Sequence, residues 1–246
     1  MTREIKDYWD ENSKYYQEDS KIKIGIHYGP GAPFEDKLRL LGKLKGKKIL
    51  EIGCGGAQCG IAMAKKGAKV TGIDQSIEQL NFAKNLADKN KVNIKLIKGT
   101  FQDLKKIKSN CYDIAFSAFA FQYSPDLLKL FKQINRILKK KGLFVFSLDH
   151  PFFRIINPKT LKAQQSYFKT GRYTEKTDSI DFVGYNNTVS ELFNPLVKAG
   201  FIVEEMIEPD SRKKYAGDPW YNLWGLYTPK LLKIVPPTII FKARKK

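Results

Sequence analysis

Residues 47–74 read KKILEIGCGGAQCGIAMAKKGAKVTGID. Ile49, Leu50 and Ile52 make a short apolar run between lysines and glycines, the pattern of a buried parallel strand. Gly53, Gly55 and Gly56 follow as a turn where the backbone can approach a ligand with no Cβ in the way. Ile61–Ala64 start a short helix that Gly67 ends. Val70, Gly72 and Ile73 form a second strand, with Asp74 at its carboxyl end. Strand, glycine turn, helix, strand and terminal acid are half of a nucleotide-binding doubly wound sheet, with the ligand beyond the strand ends.

The nucleotide is narrowed by two residues. A dinucleotide fingerprint places a third glycine where this chain has Gln58. Glu51, two residues before the first glycine, would repel a pyrophosphate and suits a cationic ligand, such as a methionine ammonium or a sulfonium. The order Glu51-x-Gly53-x-Gly55-Gly56, followed by Asp74, resembles motifs I and II of class I S-adenosylmethionine-dependent methyltransferases. It is most similar to the ubiquinone/menaquinone-type small-molecule branch, although Ala57 stands where many members carry glycine.

That resemblance implies an α/β fold: a doubly wound, Rossmann-like seven-stranded sheet, mostly parallel with an antiparallel last strand and helices on both faces. It also implies S-adenosyl-L-methionine as cofactor, S-adenosyl-L-homocysteine as product, and in-line methyl transfer to an O, N or C atom of a small molecule. Asp74 is expected on the ribose hydroxyls and Glu51 near the methionine ammonium. The Gly53–Gly56 amides, with Cys54 and Gln58 in or beside the turn, suit the methionine carboxylate. Gln75 and Gln79 flank the ribose acid. The family usually carries an acid for adenine after the third strand. Thr100 replaces it here, so Thr100, Phe101 or Gln102 must substitute. Ser117, Ala118 and Phe119, ending the fourth strand, are expected at the methionine end.

The chain of 246 residues, 42% hydrophobic, is enough for one large α/β domain. Residues 1–46 precede the core and are expected to form a helical cap, in which Tyr8, Trp9, Tyr15 and Tyr16 share helical spacing. A turn holding His27 and Tyr28 follows, and then a helix over residues 35–44. Residues 47–148 are the cofactor-binding core, with strands at 94–97, 112–117 and 143–148 and a helix at 125–140 stopped by Gly142. Ser76 and Gln79 have capping-box spacing. Residues 149–187 form a lid after the fifth strand, and 188–246 complete the sheet around a second insertion at about 209–237. The strands there are 201–207 and 238–243.

Methyl transfer from a sulfonium needs positioning and exclusion of water, and needs a base only for an acceptor of high pKa. The candidate bases are His150, His27 and Asp149, in that order. Tyr28, Gln122, Tyr123, His150 and Trp220 are the candidate substrate contacts.

Lys+Arg 44 against Asp+Glu 25 gives a net charge of +19. Such a balance fits RNA, an anionic membrane surface or an acidic substrate. The lysines are spread along the sequence, so solvated helix faces account for them more simply. An RNA (tRNA base) methyltransferase is the alternative function, although the fourth strand lacks an Asn-Pro-Pro-Tyr-type signature. A non-catalytic cofactor-binding protein is a second alternative, and the basic stretch 231–246 is a candidate membrane contact. Cys54, Cys59 and Cys111 have neither disulfide nor zinc spacing, so no metal is expected. Without a leader or a spanning apolar run, a cytoplasmic protein is expected.

Overall fold

The protein was analysed as a computed structural model describing residues 3–20, 22–177, 179–210 and 226–246. Seven strands form one sheet: β1 (Lys48–Ile52), β2 (Lys69–Asp74), β3 (Lys95–Lys98), β4 (Tyr112–Ala118), β5 (Leu138–Asp149), β8 (Phe201–Ile207) and β9 (Thr238–Lys245). Their order is β3-β2-β1-β4-β5-β9-β8. The first five run parallel, and β9 pairs antiparallel with both β5 and β8. The order reverses between β1 and β4, so the strand ends part there and open the crevice in which such sheets bind ligands.

Alternation along the strands gives each face its own core. Leu50, Ile52, Phe144, Phe146 and Phe241 point to the face covered by α5 (Leu127–Ile137) and α6 (Val189–Lys198). Ile49, Val70, Phe116 and Val145 point to the other, under α3 (Gln58–Lys65) and the segment holding Ile26, Tyr28, Leu40 and Leu44. The helix α4 (Ile77–Lys89) packs Leu80 and Ala83 beside Cys54 and Ala57. Its start is fixed by Ser76, whose Oγ accepts from the Gln79 amide. The reciprocal arm of the capping box is diverted, because the Gln79 side chain is bonded by Gln17.

Several element boundaries differ from expectation, those of β3 and β4 by one residue. The helix at residues 35–44 stops at Leu38 as α2 (Glu35–Leu38), and Arg39 is left-handed. The Glu35 carboxylate captures the Leu40 and Leu41 amides, so those donors leave the helical ladder. The helix expected over 125–140 spans Leu127–Ile137, and the Lys139–Gly142 stretch opens β5 instead of closing the helix. Lys139 is held there by Asp113, and Tyr112 pairs with Leu138. The final strand runs two residues longer than 238–243.

Two pieces lie across the carboxyl ends of the strands. The helix α1 (Arg3–Ser20) and the hairpin of β6 (Gly171–Glu175) and β7 (Phe182–Asn186) meet through the Tyr8 and Phe182 rings and an Arg172–Glu4 ion pair. The hairpin lies between β5 and α6, where a lid is expected. Most of the second insertion, including Trp220, lies outside the described residues.

Candidate functional site

A cavity of about 300 Å³ lies between the strand ends below and α1 and the β6–β7 hairpin above. Its floor is the glycine turn. Gly53 has φ +67°, and an added Cβ would stand 2.3 Å from the Ala120 Cβ, so β1 and β4 can end side by side only with glycine there. The turn is tied to β2 by the Gly55 amide, which donates to Asp74 Oδ2 at 2.9 Å, while Ser76 donates to Oδ1. Burial pushes the Asp74 carboxyl up, and these amide donors oppose it. Two oxygens beside the turn thus remain available to a pair of hydroxyls.

Glu51 sits beneath the same turn. It is 3% exposed, and its Oε2 is buried with no hydrogen-bond partner. Burial pushes it up to about 8; a backbone hydrogen bond from Gly60 to the carboxyl opposes the rise and nearby Asp74 adds to it. A neutral carboxyl with an orphan oxygen in a cavity wall is a poor neighbour for phosphate and a good one for a cation. His27 lines the cavity as a neutral imidazole, driven down to about 4 by burial.

Cys54, Gly55, Gly56 and Gln58 line the cavity, as do Gln79, Ala118 and Phe119. Phe119 keeps a left-handed backbone, φ 56°, with its ring against Gly29. Gln122, Tyr123 and Asp149 line the far end. The remaining expected residues lie elsewhere. Thr100 gives its amide and its hydroxyl to Asp103 Oδ2 at 2.8 and 2.9 Å, and Asp103 in turn pairs with Lys106. Phe101 packs on Phe121 in the core, and Gln102 is on the exposed side of the same turn. Ser117 is fully buried and donates to the Ile52 carbonyl. Gln75 is buried outside the lining, its Nε2 unpartnered.

Two residues expected at the acceptor end have their polar atoms engaged elsewhere. Tyr28 is fully buried and bonds Glu35 Oε2 at 2.5 Å, so it braces the loop before the core. His150, 2% exposed, points away from the cavity: Nε2 meets Glu208 Oε1 at 2.7 Å and Nδ1 accepts from the Phe152 amide. Both ring nitrogens are occupied in anchoring β5 to the chain beyond β8.

Several lining residues were not singled out by their sequence. Gln17 of α1 donates to Gln79 Oε1 at 2.7 Å and accepts from Gln58 Nε2 at 2.6 Å. Arg154, Tyr173 and the half-exposed Glu175 form a group beside Asp149, with the guanidinium bonded to Glu175 and 4.5 Å above the Tyr173 ring. Isolated arginines and glutamates in a polar insertion carry no sequence signal of this grouping. The aromatic side of α1 was legible from spacing: Tyr8, Trp9 and Tyr16 line the cavity, whereas Tyr15 is exposed. Among the described residues no group of His, Cys, Asp and Glu could hold a metal ion, and no helix is long and apolar enough to cross a membrane.

With this geometry, comparison with known proteins is informative. Residues 43–198 match the profile of a methyltransferase domain family. An uncharacterised protein of Haemophilus influenzae is 30% identical over 228 residues, which is 85% of each chain. A ubiquinone biosynthesis O-methyltransferase of Actinobacillus pleuropneumoniae is 35% identical over 108 residues, 42% of this chain and 46% of that enzyme. Among solved structures, a protein from Listeria monocytogenes assigned as an S-adenosylmethionine-dependent methyltransferase superposes with a TM-score of 0.70. It is 24% identical, and the match covers 86% of this chain and 97% of that one.

Proposed function

Because the chain belongs to the methyltransferase domain family and is a class I S-adenosylmethionine-dependent methyltransferase, we propose that its cavity transfers a methyl group to a small-molecule acceptor. One observation carries the reading: the buried Glu51 carboxyl with an unpaired oxygen beside the glycine turn. It suits the methionine ammonium and opposes a dinucleotide. Asp74 would take the ribose diol, and the amides of Gly53–Gly56 the methionine carboxylate. Gln17, Gln58 and Gln79 close that end. Bound S-adenosylmethionine supplies an activated methyl group on a sulfonium. The chain's own residues then have three tasks: to orient the acceptor, to exclude water, and to take a proton when the acceptor carries one. The aromatic walls from α1 and β7 suit the first two and can attract a sulfonium by about 1 kcal/mol or more when dry.

The lysines bear on the RNA alternative. Lys47 and Lys48 precede or begin β1, Lys69 begins β2, Lys95 begins β3, and Lys139–Lys141 lie at the start of β5. All of these strands run toward the cavity, so this basic end faces away from it. A nucleic acid held there would not present a base to the site, and the small-molecule reading is kept.

The test is calorimetric titration with S-adenosylhomocysteine, with NADH as control. Micromolar binding of the first ligand alone is expected. Asp74→Ala should weaken it at least a hundredfold in a protein with an unchanged circular dichroism spectrum. Unchanged affinity in that variant removes Asp74 from the site.

A further inference from the structure

The far end of the cavity has a definite hydrogen-bonding character. Asp149, at the carboxyl end of β5, makes no side-chain hydrogen bond among the described residues. It is partly exposed, and it lines the cavity. Gln122 lies beside it in the lining of the same cavity and of a small polar recess. The Gln122 Nε2 is used by the Phe119 carbonyl, while its Oε1 is buried without a partner. The nearby Arg154 guanidinium gives one N–H to Glu175 and lies over the Tyr173 ring. Lys176, at the rim, is paired with Asp181. This end therefore offers acceptor oxygens, two on Asp149 and one on Gln122, and among the described residues the one cation facing them is Arg154, shared with Glu175. Asp149, Glu175 and Arg154 together carry one negative charge when ionised.

The buried Gln122 oxygen is stabilised only by a donor, and the partly exposed Asp149 carboxylate beside it also accepts one. An anionic group placed there would meet like charge and leave those oxygens unpaired. We propose that the methyl acceptor is a neutral or cationic molecule presenting an O–H or N–H group, held between Asp149 and Gln122, and that Asp149 is the base that takes its proton. In the transfer, the acceptor's O–H or N–H bond breaks and the proton goes to Asp149 Oδ. The electron pair left on the acceptor forms the new bond to carbon, and the S–CH₃ pair returns to sulfur. Among the described residues, the net negative charge of this group disfavours carboxylate and phosphate acceptors, despite the chain's positive charge. The inference rests on the methyltransferase reading.

The surroundings also suit a base. Asp149 is faced by Arg154 and Glu175 and by the hydroxyl-bearing rings of Tyr123, Tyr173 and Tyr227. Burial raises its carboxyl to about 6, with Arg154 opposing the rise and Glu175 adding to it. It is thus ionised at neutral pH yet more basic than an ordinary aspartate. His150, its neighbour in the chain, faces Glu208 instead.

The experiment uses the full chain saturated with S-adenosylhomocysteine and five probes built on one benzene ring: catechol, benzylamine, 1,2-dimethoxybenzene, benzoate and phenyl phosphate. Catechol and benzylamine should bind at least tenfold more tightly than the other three. Catechol affinity should rise as pH passes through about 6. Asp149→Asn should weaken catechol at least tenfold and abolish that pH dependence, with affinity for S-adenosylhomocysteine unchanged. Gln122→Met, which removes the Gln122 acceptor oxygen, should weaken catechol at every pH. The proposal is overturned if an anionic probe binds as well as catechol, if 1,2-dimethoxybenzene equals it, if neither donor probe binds, or if Asp149→Asn has no effect. Failure to bind S-adenosylhomocysteine in the first place sinks the methyltransferase reading instead, before any probe is added.

Discussion

Glu51 stores a proton that a bound ammonium should expel. Its carboxyl lies at about 8 without ligand, so it is largely protonated at pH 7. Against a methionine ammonium it ionises, because an opposite charge replaces the missing solvent. Calorimetry with S-adenosylhomocysteine at pH 7, repeated in buffers of different ionisation enthalpy, should show release of about one proton; Glu51→Gln should release none. Stability without ligand follows the same group. A carboxyl whose folded value lies above its unfolded one, about 4.5, binds more protons when folded. Its contribution therefore falls as pH rises from about 4.5 to about 8. Glu51→Gln should flatten that fall, read as melting temperature against pH. Gly53→Ala belongs to the same turn and fails for a different reason. A positive φ costs roughly 1–2 kcal/mol in a residue with a Cβ, and the Ala120 contact adds about 1–3 kcal/mol of overpacking. Chemical denaturation should show a loss of roughly 2–5 kcal/mol from these two terms. Such residues were legible because a glycine turn and a strand-end acid are local in sequence. The directions of Thr100, Tyr28 and His150 were not legible because they are set by Asp103, Glu35 and Glu208, and for His150 the partner is 58 residues away.

The helix α1 is held by polar contacts that concentrate at its two ends and its middle: Arg172 to Glu4, Asp10 to the Ser76 hydroxyl at 2.6 Å, and Gln17 to Gln58 and Gln79. Each such hydrogen bond contributes about 1 kcal/mol net, so the helix can open far below the cost of unfolding the sheet. Gln17→Ala removes two of them at the turn itself. It should raise amide exchange across α1 at least tenfold while β4 and β5 stay protected, and S-adenosylhomocysteine should restore much of the protection in the wild type. Equal exchange in variant and wild type would show that the aromatic contacts of Trp9 with Tyr16 and Tyr123 hold the helix alone. Helix existence was readable from the Tyr8–Tyr16 spacing, but helix ends were not. Lysines at 139–141 are good helix formers, and only the pairing of Tyr112 with Leu138 turns that stretch into β5. Likewise, no local pattern shows that Glu35 will take the amides that would have continued its own helix.

At the scale of the molecule, charge is sorted in a way its scattered sequence positions conceal. Each parallel strand begins at the end remote from the cavity, and lysines cluster at those beginnings. Lys48 registers against Lys69, Lys139–Lys141 open β5, and antiparallel β9 brings Arg244, Lys245 and Lys246 back to the same end. Arg244 is paired with Glu204 and Lys139 with Asp113, which also lies near Lys47 and Lys48, but Lys47, Lys48, Lys66 and Lys140 are all exposed. Exposed like charges within about 10 Å repel measurably at low ionic strength and are screened by salt. The melting temperature should therefore rise by several degrees between 20 and 300 mM NaCl. Lys140→Glu should raise the low-salt value and flatten the response. Lys159→Glu, at an exposed position in the segment after β5 on the cavity side, should change neither. A flat salt response in the wild type would mean that solvent already screens the lysines. The sorting would then be a by-product of lysines starting strands, with no energetic cost to the fold.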